Sequence, residues 1–425
     1  MDRNSETWSI EQQCPQCGGP VILADTDRIL SCSYCRVRLF ISTRDYFKYI
    51  LPPADQSPEE LIFTPYWRFK GIIFSSSVVK TEHRITDSTI SASEHSLFPI
   101  SLGVRPQAVR LKFLSPELKH HFFLPERPFR EVLPDMEKRR NHAESLSLKQ
   151  QGSILNTGQE APLHRAFIGE TTNLIYLPLS IDGDRFYDTV SKSLLCKIPG
   201  DMSLRFVKMK DWGVKFIPTL CPDCGWDMTG ETDSLVLLCR NCDSAWKASY
   251  HGLEKVRYSV IHTKDAGALY LPFWRLSAEI KEIGLNSYAD LVRFANLPRV
   301  IRDEWEEKDI TFWTPAFKVQ PGLFLSASMK ATVSQLAPEM SAPLPGGFVF
   351  SVNLPFGEAF ESLKTILIEM AIPRKKFISI IDGISVTPVD RELVLVPFMD
   401  TGHELNQPQM HLSISRNTLK YGRNL

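Results

Sequence analysis

Short apolar runs separated by turn-forming residues dominate this chain, and long helical stripes are few. Pro20-Val21-Ile22-Leu23 and Ile29-Leu30 flank the polar Asp25-Thr26-Asp27, a pattern that predicts strand, turn and strand. The pattern returns later, with Glu231-Thr232-Asp233-Ser234 as the turn and Leu235-Val236-Leu237-Leu238 as the strand. Phe63–Phe74 predicts an extended segment interrupted by Pro65, and the Thr/Ser/Ile-rich Val78–Ala92 predicts a further pair of strands. Ile175-Tyr176-Leu177-Pro178-Leu179 predicts a buried strand, with Asp182-Gly183 turning the chain into Phe186-Tyr187. Val394-Leu395-Val396-Pro397-Phe398 is its later counterpart, after a turn at Asp382-Gly383.

Helical signals are concentrated in the second half. Ser287–Trp305 carries Leu291, Phe294 and Ile301 on one face, with Pro298 breaking or kinking it. Glu358–Met370 places Phe360, Leu363, Ile366, Leu367 and Met370 at helical spacing, with Pro373 beyond its end. In the first half, Ser57-Pro58-Glu59-Glu60 predicts one helical turn and Pro134–Gln151 a solvated helix, followed by a flexible connection over Gly152–Pro162. Residues 1–13 and Ser415–Leu425 read as loose.

The strands are punctuated by cysteines. Cys14-Pro15-Gln16-Cys17-Gly18 is answered by Cys32-Ser33-Tyr34-Cys35, and Cys221-Pro222-Asp223-Cys224-Gly225 by Cys239-Arg240-Asn241-Cys242. Fourteen residues separate the pairs in both sets, which together hold eight of the nine cysteines. A C-x-x-C turn delivers two thiolates to one metal, and four thiolates complete a tetrahedron around Zn²⁺. Each set resembles the zinc-ribbon family, which shares its C-P-x-C-G knuckle with rubredoxins. The likeness covers about 27 residues in the first copy and 22 in the second. It implies two structural zinc ions, held by Cys14, Cys17, Cys32 and Cys35 and by Cys221, Cys224, Cys239 and Cys242. Rubredoxin-like iron is disfavoured because only the first knuckle of each set carries the proline and glycine.

The second set lies 207 positions after the first, and the same offset carries Pro65-Tyr66-Trp67-Arg68 onto Pro272-Phe273-Trp274-Arg275. Leu97-Phe98-Pro99 before Val104-Arg105-Pro106 is matched with Trp313-Thr314-Pro315 before Val319-Gln320-Pro321, one residue out of step. The expected fold is therefore α+β and β-rich: a tandem duplication of a four-cysteine zinc ribbon followed by a β-rich domain, with extra helices in the second unit. The expected domains are ribbon 1 at 1–45, β-rich domain 1 at 46–205, ribbon 2 at 206–250 and α+β domain 2 at 251–425. Trp67 and Trp274 are either interface anchors or core side chains beneath each ribbon. Leu269-Tyr270-Leu271-Pro272-Phe273-Trp274 is similar to a segment of bacterial zinc-ribbon proteins.

With 425 residues the chain exceeds one ordinary core, and its 49 basic and 49 acidic residues cancel. Two four-thiolate zinc sites would each add about −2, so the charge as a whole does not favour a broad grip on nucleic acid. Lys138-Arg139-Arg140, Arg299–Arg302 and Arg374-Lys375-Lys376 are the basic clusters, the last read as lying at a helix C-terminus. The polar N-terminus shows no signal-peptide pattern and no apolar run is long enough to span a membrane. Paired C-x-x-C cysteines then point to a reducing, cytoplasmic setting. No HExxH, GxSxG, GxxxxGK or GxGxxG motif is present. Cys196 reads as a packed thiol, His120-His121 as a pair diverging in a strand, and Asp182, Asp184 and Asp188 as turn formers. The expectation is a non-enzymatic structural or adaptor protein that binds protein partners in a larger assembly. A nucleic-acid-binding factor acting through the ribbons is the alternative.

Overall fold

The computed structural model describes residues 8–54, 60–115, 118, 120–129, 131–132, 134, 162–169, 172–200, 206–207, 212–265, 267–337, 339–340 and 343–422. The helical turn expected at Ser57-Pro58-Glu59-Glu60 and the helix and connection expected over 134–162 fall almost wholly outside these residues. The described chain is β-rich with few helices. It divides into two compact units: Met1–Lys70, Asp87–Gln159 and Thr171–Pro218 form one, and Gly71–Thr86, Glu160–Glu170 and Thr219–Leu425 form the other.

The first unit is organised around the strand Ile62–Ser76, which contributes its residues up to Lys70. Pro65 does not interrupt it: it stays in register opposite Tyr176, and its carbonyl accepts the Ala92 N–H at 2.9 Å. The strand pairs antiparallel with Asn173–Asp182, placing Phe63 opposite Pro178, Trp67 opposite Leu174 and Arg68 opposite Asn173. Phe47–Ile50 runs parallel to the far edge of Asn173–Asp182, with Tyr49 opposite Ile175. The cysteine-bearing module lies in this unit. Ser9–Gln13 pairs with Pro20–Ala24, Ile29–Ser31 pairs with Arg38–Ser42, and Lys215–Pro218 extends that second ladder.

The second unit repeats this arrangement. Leu269–Ile280 pairs antiparallel with Val386–Asp400, with Tyr270 opposite Pro397, Trp274 opposite Leu393 and Arg275 opposite Glu392. Tyr258–Val260 runs parallel to the same strand, with Ser259 opposite Val394. These four register pairs of the first unit thus have counterparts in the second. The likeness reaches the hydrogen bonds. Trp67 Nε1 donates to the Arg127 carbonyl at 2.8 Å, and its ring meets Phe129 edge-on at 5.7 Å. Trp274 Nε1 donates to the Leu354 carbonyl at 2.9 Å, and its ring meets Phe356 edge-on at 5.7 Å. Ala92 bridges Pro65 and Arg127 through its backbone, and Ala316 bridges Pro272 and Leu354 in the same way. Both tryptophans are buried, so they are core side chains and not exposed anchors.

Several expectations need correction. Trp313-Thr314-Pro315 belongs to the strand Phe312–Pro315, paired with Phe273–Leu276. Its counterpart by hydrogen bonding is the end of Thr81–Ser91 before Ala92, whereas Leu97-Phe98-Pro99 lies in the loop beyond. Val78–Ala92 yields that one strand, not two. The helix expected over Ser287–Trp305 is confined to Tyr288–Phe294, started by a Ser287–Asp290 capping box, and Asn296 takes a left-handed conformation before Pro298 is reached. The expected Glu358–Met370 helix is divided at Ser362 into Phe356–Glu361 and Leu363–Met370. Arg374-Lys375-Lys376 lies at helix C-termini as expected: Arg374 donates to the Ile368 carbonyl in the last turn of Leu363–Met370, and Lys375 and Lys376 fall in the last turn of the short helix Arg374–Ile378. Arg416–Gly422 is helical where a loose tail was expected, and the 14-residue helix Pro321–Ser334 has no counterpart among the sequence expectations.

In the second unit, the Glu358 carboxylate accepts the Gly169 N–H at 2.6 Å. Burial pushes this carboxyl up to about 7, against the pull of that hydrogen bond, with Glu361 adding repulsion. A raised carboxyl pKa means that the folded form binds more protons than the unfolded form between about 4.5 and about 7. Stability therefore falls as pH rises through that window, and the penalty is complete above it. Glu358→Gln keeps the acceptor and removes the charge. Urea denaturation at pH 8 is expected to show the variant more stable than the wild type by up to ~3 kcal/mol, with parity near pH 4. An equal or lower midpoint at pH 8 would contradict this account.

Candidate metal centres

Each cysteine set is assembled from two tight turns at the ends of paired strands. In the first, Gly18 N–H donates to Cys14 O at 2.8 Å and Arg36 N–H to Cys32 O at 3.0 Å. In the second, Gly225 N–H donates to Cys221 O at 2.8 Å. The residue after the second cysteine of every pair takes positive φ: Gly18 at 74°, Arg36 at 60°, Gly225 at 73° and Asp243 at 49°. The missing glycines in the second pairs therefore do not signal a different turn. Arg36 and Asp243 adopt the left-handed conformation despite the steric cost to a side chain, held by the ladder on either side.

All eight predicted ligands come together as two groups of four, the sulfurs within each lying within 4.8 Å of one another. Cys14 and Cys35 are 3.7 Å apart, as are Cys17 and Cys32. Cys221 and Cys242 are separated by 3.5 Å, and Cys224 and Cys239 by 3.4 Å. Four sulfurs about 2.3 Å from one ion in a tetrahedron lie about 3.8 Å apart, so both groups are close to the size of a single metal site. Both cysteine groups can hold a metal ion.

The sulfurs of each group shift one another's ionisation. The Val37 N–H works to lower Cys35, but burial and proton sharing with Cys17, Cys32 and Cys14 outweigh it and push Cys35 up to about 12. Its neighbour Cys32 is held down to about 7, first by the Cys35 N–H. In the second site burial works to raise Cys221, yet the Ser244 hydroxyl and the Cys224 and Asp223 N–H groups hold it at about 6. Cys32 is favoured as thiolate over Cys35 in the first group, and Cys221 and Cys224 over Cys239 and Cys242 in the second, a competition that a divalent ion would remove.

Ser244 was not singled out by its sequence context. Its Oγ lies 3.1 Å from Cys242 Sγ and 3.6 Å from Cys221 Sγ, and it accepts the Trp246 indole N–H at 2.8 Å. With the indole filling an acceptor site, the hydroxyl proton is left to face the sulfurs, the kind of outer-shell support that orients metal ligands. The first set has Val37 at the corresponding position.

The two modules are fastened differently. In the first, Arg68 is buried, bonds Asp25 of the module's turn and Asp87 at 2.7 Å each, and lies 3.5 Å over the Trp8 ring. Lys70 reaches the same Asp25 oxygen at 3.2 Å. In the second, Asn353 Nδ2 donates to Asp233 at 2.7 Å and Arg240 donates to the Pro345 and Gly347 carbonyls. Their surfaces differ too. Trp226 and Leu220 are 62% and 48% exposed at the second site, among five carboxylates and two cations over 219–249. The first exposes Tyr34 at 66%, and over 8–42 three acidic residues balance three basic ones.

The remaining candidates do not converge. Cys196 sits in the strand Ser193–Lys197 with its thiol pushed up by burial. Asp188 is buried against Arg105, at 2.7 Å, while Asp184 pairs with Lys197 at the surface. His121 faces Glu60 at 2.7 Å. Arg374 is absorbed by Glu369, Thr81 and the Ser77 carbonyl, Arg299 bonds Tyr288, and Lys138-Arg139-Arg140 lies outside the described residues. No helix among the described residues is long and apolar enough to cross a membrane. Compared with known proteins, the chain matches no family model, no curated protein and no solved structure.

Proposed function

We propose that this chain is a structural or adaptor protein without catalytic activity, carrying two structural Zn²⁺ ions in ribbon modules and engaging protein partners within a larger assembly. The observation that carries this reading is the closure of both cysteine groups. Four thiol ligands from two knuckles fill a tetrahedron and leave no position for water or substrate, as in structural rather than catalytic zinc sites. All eight are free thiols paired as C-x-x-C, which supports a reducing, cytoplasmic setting. The matching strand registers and tryptophan hydrogen bonds support descent of the two units from one duplicated ribbon-plus-sheet ancestor.

The exposed Trp226, set among carboxylates, supports a protein partner at the second ribbon, because an acidic surface repels phosphate. Affinity purification of the zinc-loaded chain from its own cells tests this. A stoichiometric protein partner lost on Trp226→Ala is expected. The absence of any partner, together with a monomeric chain, would contradict the reading. The first ribbon favours a second reading at one point, where exposed Tyr34 stands two and four residues before Arg36 and Arg38 in the sequence, an aromatic ring followed closely by basic residues. Salt-sensitive binding of labelled RNA or DNA that disappears on Tyr34→Ala would establish it in place of the first.

A further inference from the structure

The corresponding strands of the two units differ at one place in a way that opens a cavity. In the first unit, Tyr46 packs edge-on against Trp67 with ring centroids 5.0 Å apart. Carried back along the chain from the paired strands Phe47–Ile50 and Tyr258–Val260, the register sets Asp45-Tyr46-Phe47 against Lys255-Val256-Arg257. Valine is too short to cover Trp274 as Tyr46 covers Trp67, and a cavity of about 550 Å³ lies there, walled by Trp274, Phe356, Val236 and Val256. That volume is in the range of small-molecule sites. Four cations, Lys247, Lys255, Arg257 and Arg391, line it with two carboxylates, Asp390 and Glu392, and the latter is turned to Arg275 at 2.5 Å. Arg391 lies 4.7 Å over the Phe356 ring, so charge and aromatic surface meet at one wall. Lys255 and Arg257 pair with Asp223 and Asp390 at exposed positions, where such pairs hold little energy and exchange readily for a bound anion.

We propose that this cavity of the second unit binds a small organic anion, an aromatic or similarly flat apolar body bearing a carboxylate, sulfonate or phosphate. The apolar body lies between Trp274, Phe356 and Val256, and the anionic group meets Arg391 and Lys255. This reading stands on the cavity and its charges and does not depend on the protein-partner role.

The test titrates the metal-loaded full chain with 8-anilinonaphthalene-1-sulfonate, followed by its fluorescence, and with uncharged N-phenyl-1-naphthylamine as the neutral counterpart. One saturable site per chain is expected, with the neutral compound bound at least tenfold more weakly. Val256→Tyr, which restores the side chain present in the first unit, is expected to abolish binding while metal content stays unchanged. Arg391→Gln is expected to weaken binding of the sulfonate at least fivefold and leave the neutral compound unaffected, and it decides the matter should Val256→Tyr misfold. Equal binding of the charged and neutral compounds, or sulfonate binding untouched by Arg391→Gln, would overturn the proposal.

Discussion

Cys221→Ser is expected to lose one of two metal equivalents and to unfold the second ribbon while the first stays intact. The strands Val236–Cys239 and Ser244–Ser249 are short and enclose little apolar volume of their own, so the ion stands in for a core. Apparent binding energies of structural zinc reach about 10–16 kcal/mol, a large term beside the packing of Val236, Leu238 and Ala245 against Val260, Trp274 and Leu395 and the hydrogen bonds from Asn353, Arg240 and Leu344. Serine keeps the size of the ligand but is not deprotonated near neutral pH, which leaves three thiolates and an incomplete shell. Limited proteolysis is expected to cut within 219–249 of the variant and to spare 8–42. A variant with full metal content and unchanged cleavage would contradict the structural role assigned to this site.

Arg68→Ala is expected to be the most damaging single change in the first unit outside the cysteines. The guanidinium holds Asp25 and Asp87 at once and covers Trp8, and neither it nor Asp25 reaches solvent. Burial pushes the Asp25 carboxyl up, and the charges of Arg68 and Lys70 more than offset it, leaving the group below its usual value. Removing Arg68 strands most of that charge inside the protein, a loss of about 3–5 kcal/mol for a broken buried pair. Thermal unfolding followed by circular dichroism is expected to show the loss, and Arg68→Lys is expected to recover only part of it, because one ammonium cannot reproduce the two-sided fork. The corresponding Arg275→Ala removes a partner that is more exposed, at 27% against 1% for the side chain. A smaller loss is expected there. Equal losses at the two positions would contradict the role of Arg68 as the fastener of the first ribbon.

The metal sites were legible because ligand spacing is local: a C-x-x-C turn declares itself within four residues, and a short apolar strand leads into the second pair of each set. The tryptophan-arginine motif was legible as a repeat but not in its role, since the partners of Arg68 lie 43 residues before it and 19 residues after it. Arg127-Pro128-Phe129 and Leu354-Pro355-Phe356 escaped notice for a related reason. Intervening loops have changed length, so their offset differs from the 207 of the cysteines, and only the indole hydrogen bonds bring them into alignment. The helix Pro321–Ser334 left no stripe because it is buried on several sides, with Phe324, Leu325, Ala327, Ser328, Ala331 and Thr332 all inside. The Glu358–Met370 stripe was correctly periodic, and only the local choice at Ser362 to bond Ala359 divided it.

Under the proposed function each four-thiolate cage holds one zinc ion that stabilises its module. Elemental analysis of the chain, purified without added metal and quantified against protein concentration, tests it most directly. Two zinc ions per chain, no iron, and a loss of protease resistance in both cysteine modules when a strong chelator strips the metal are expected. Fewer than one zinc per chain in protein that resists proteolysis over 8–42 and 219–249, or iron in its place, would contradict it.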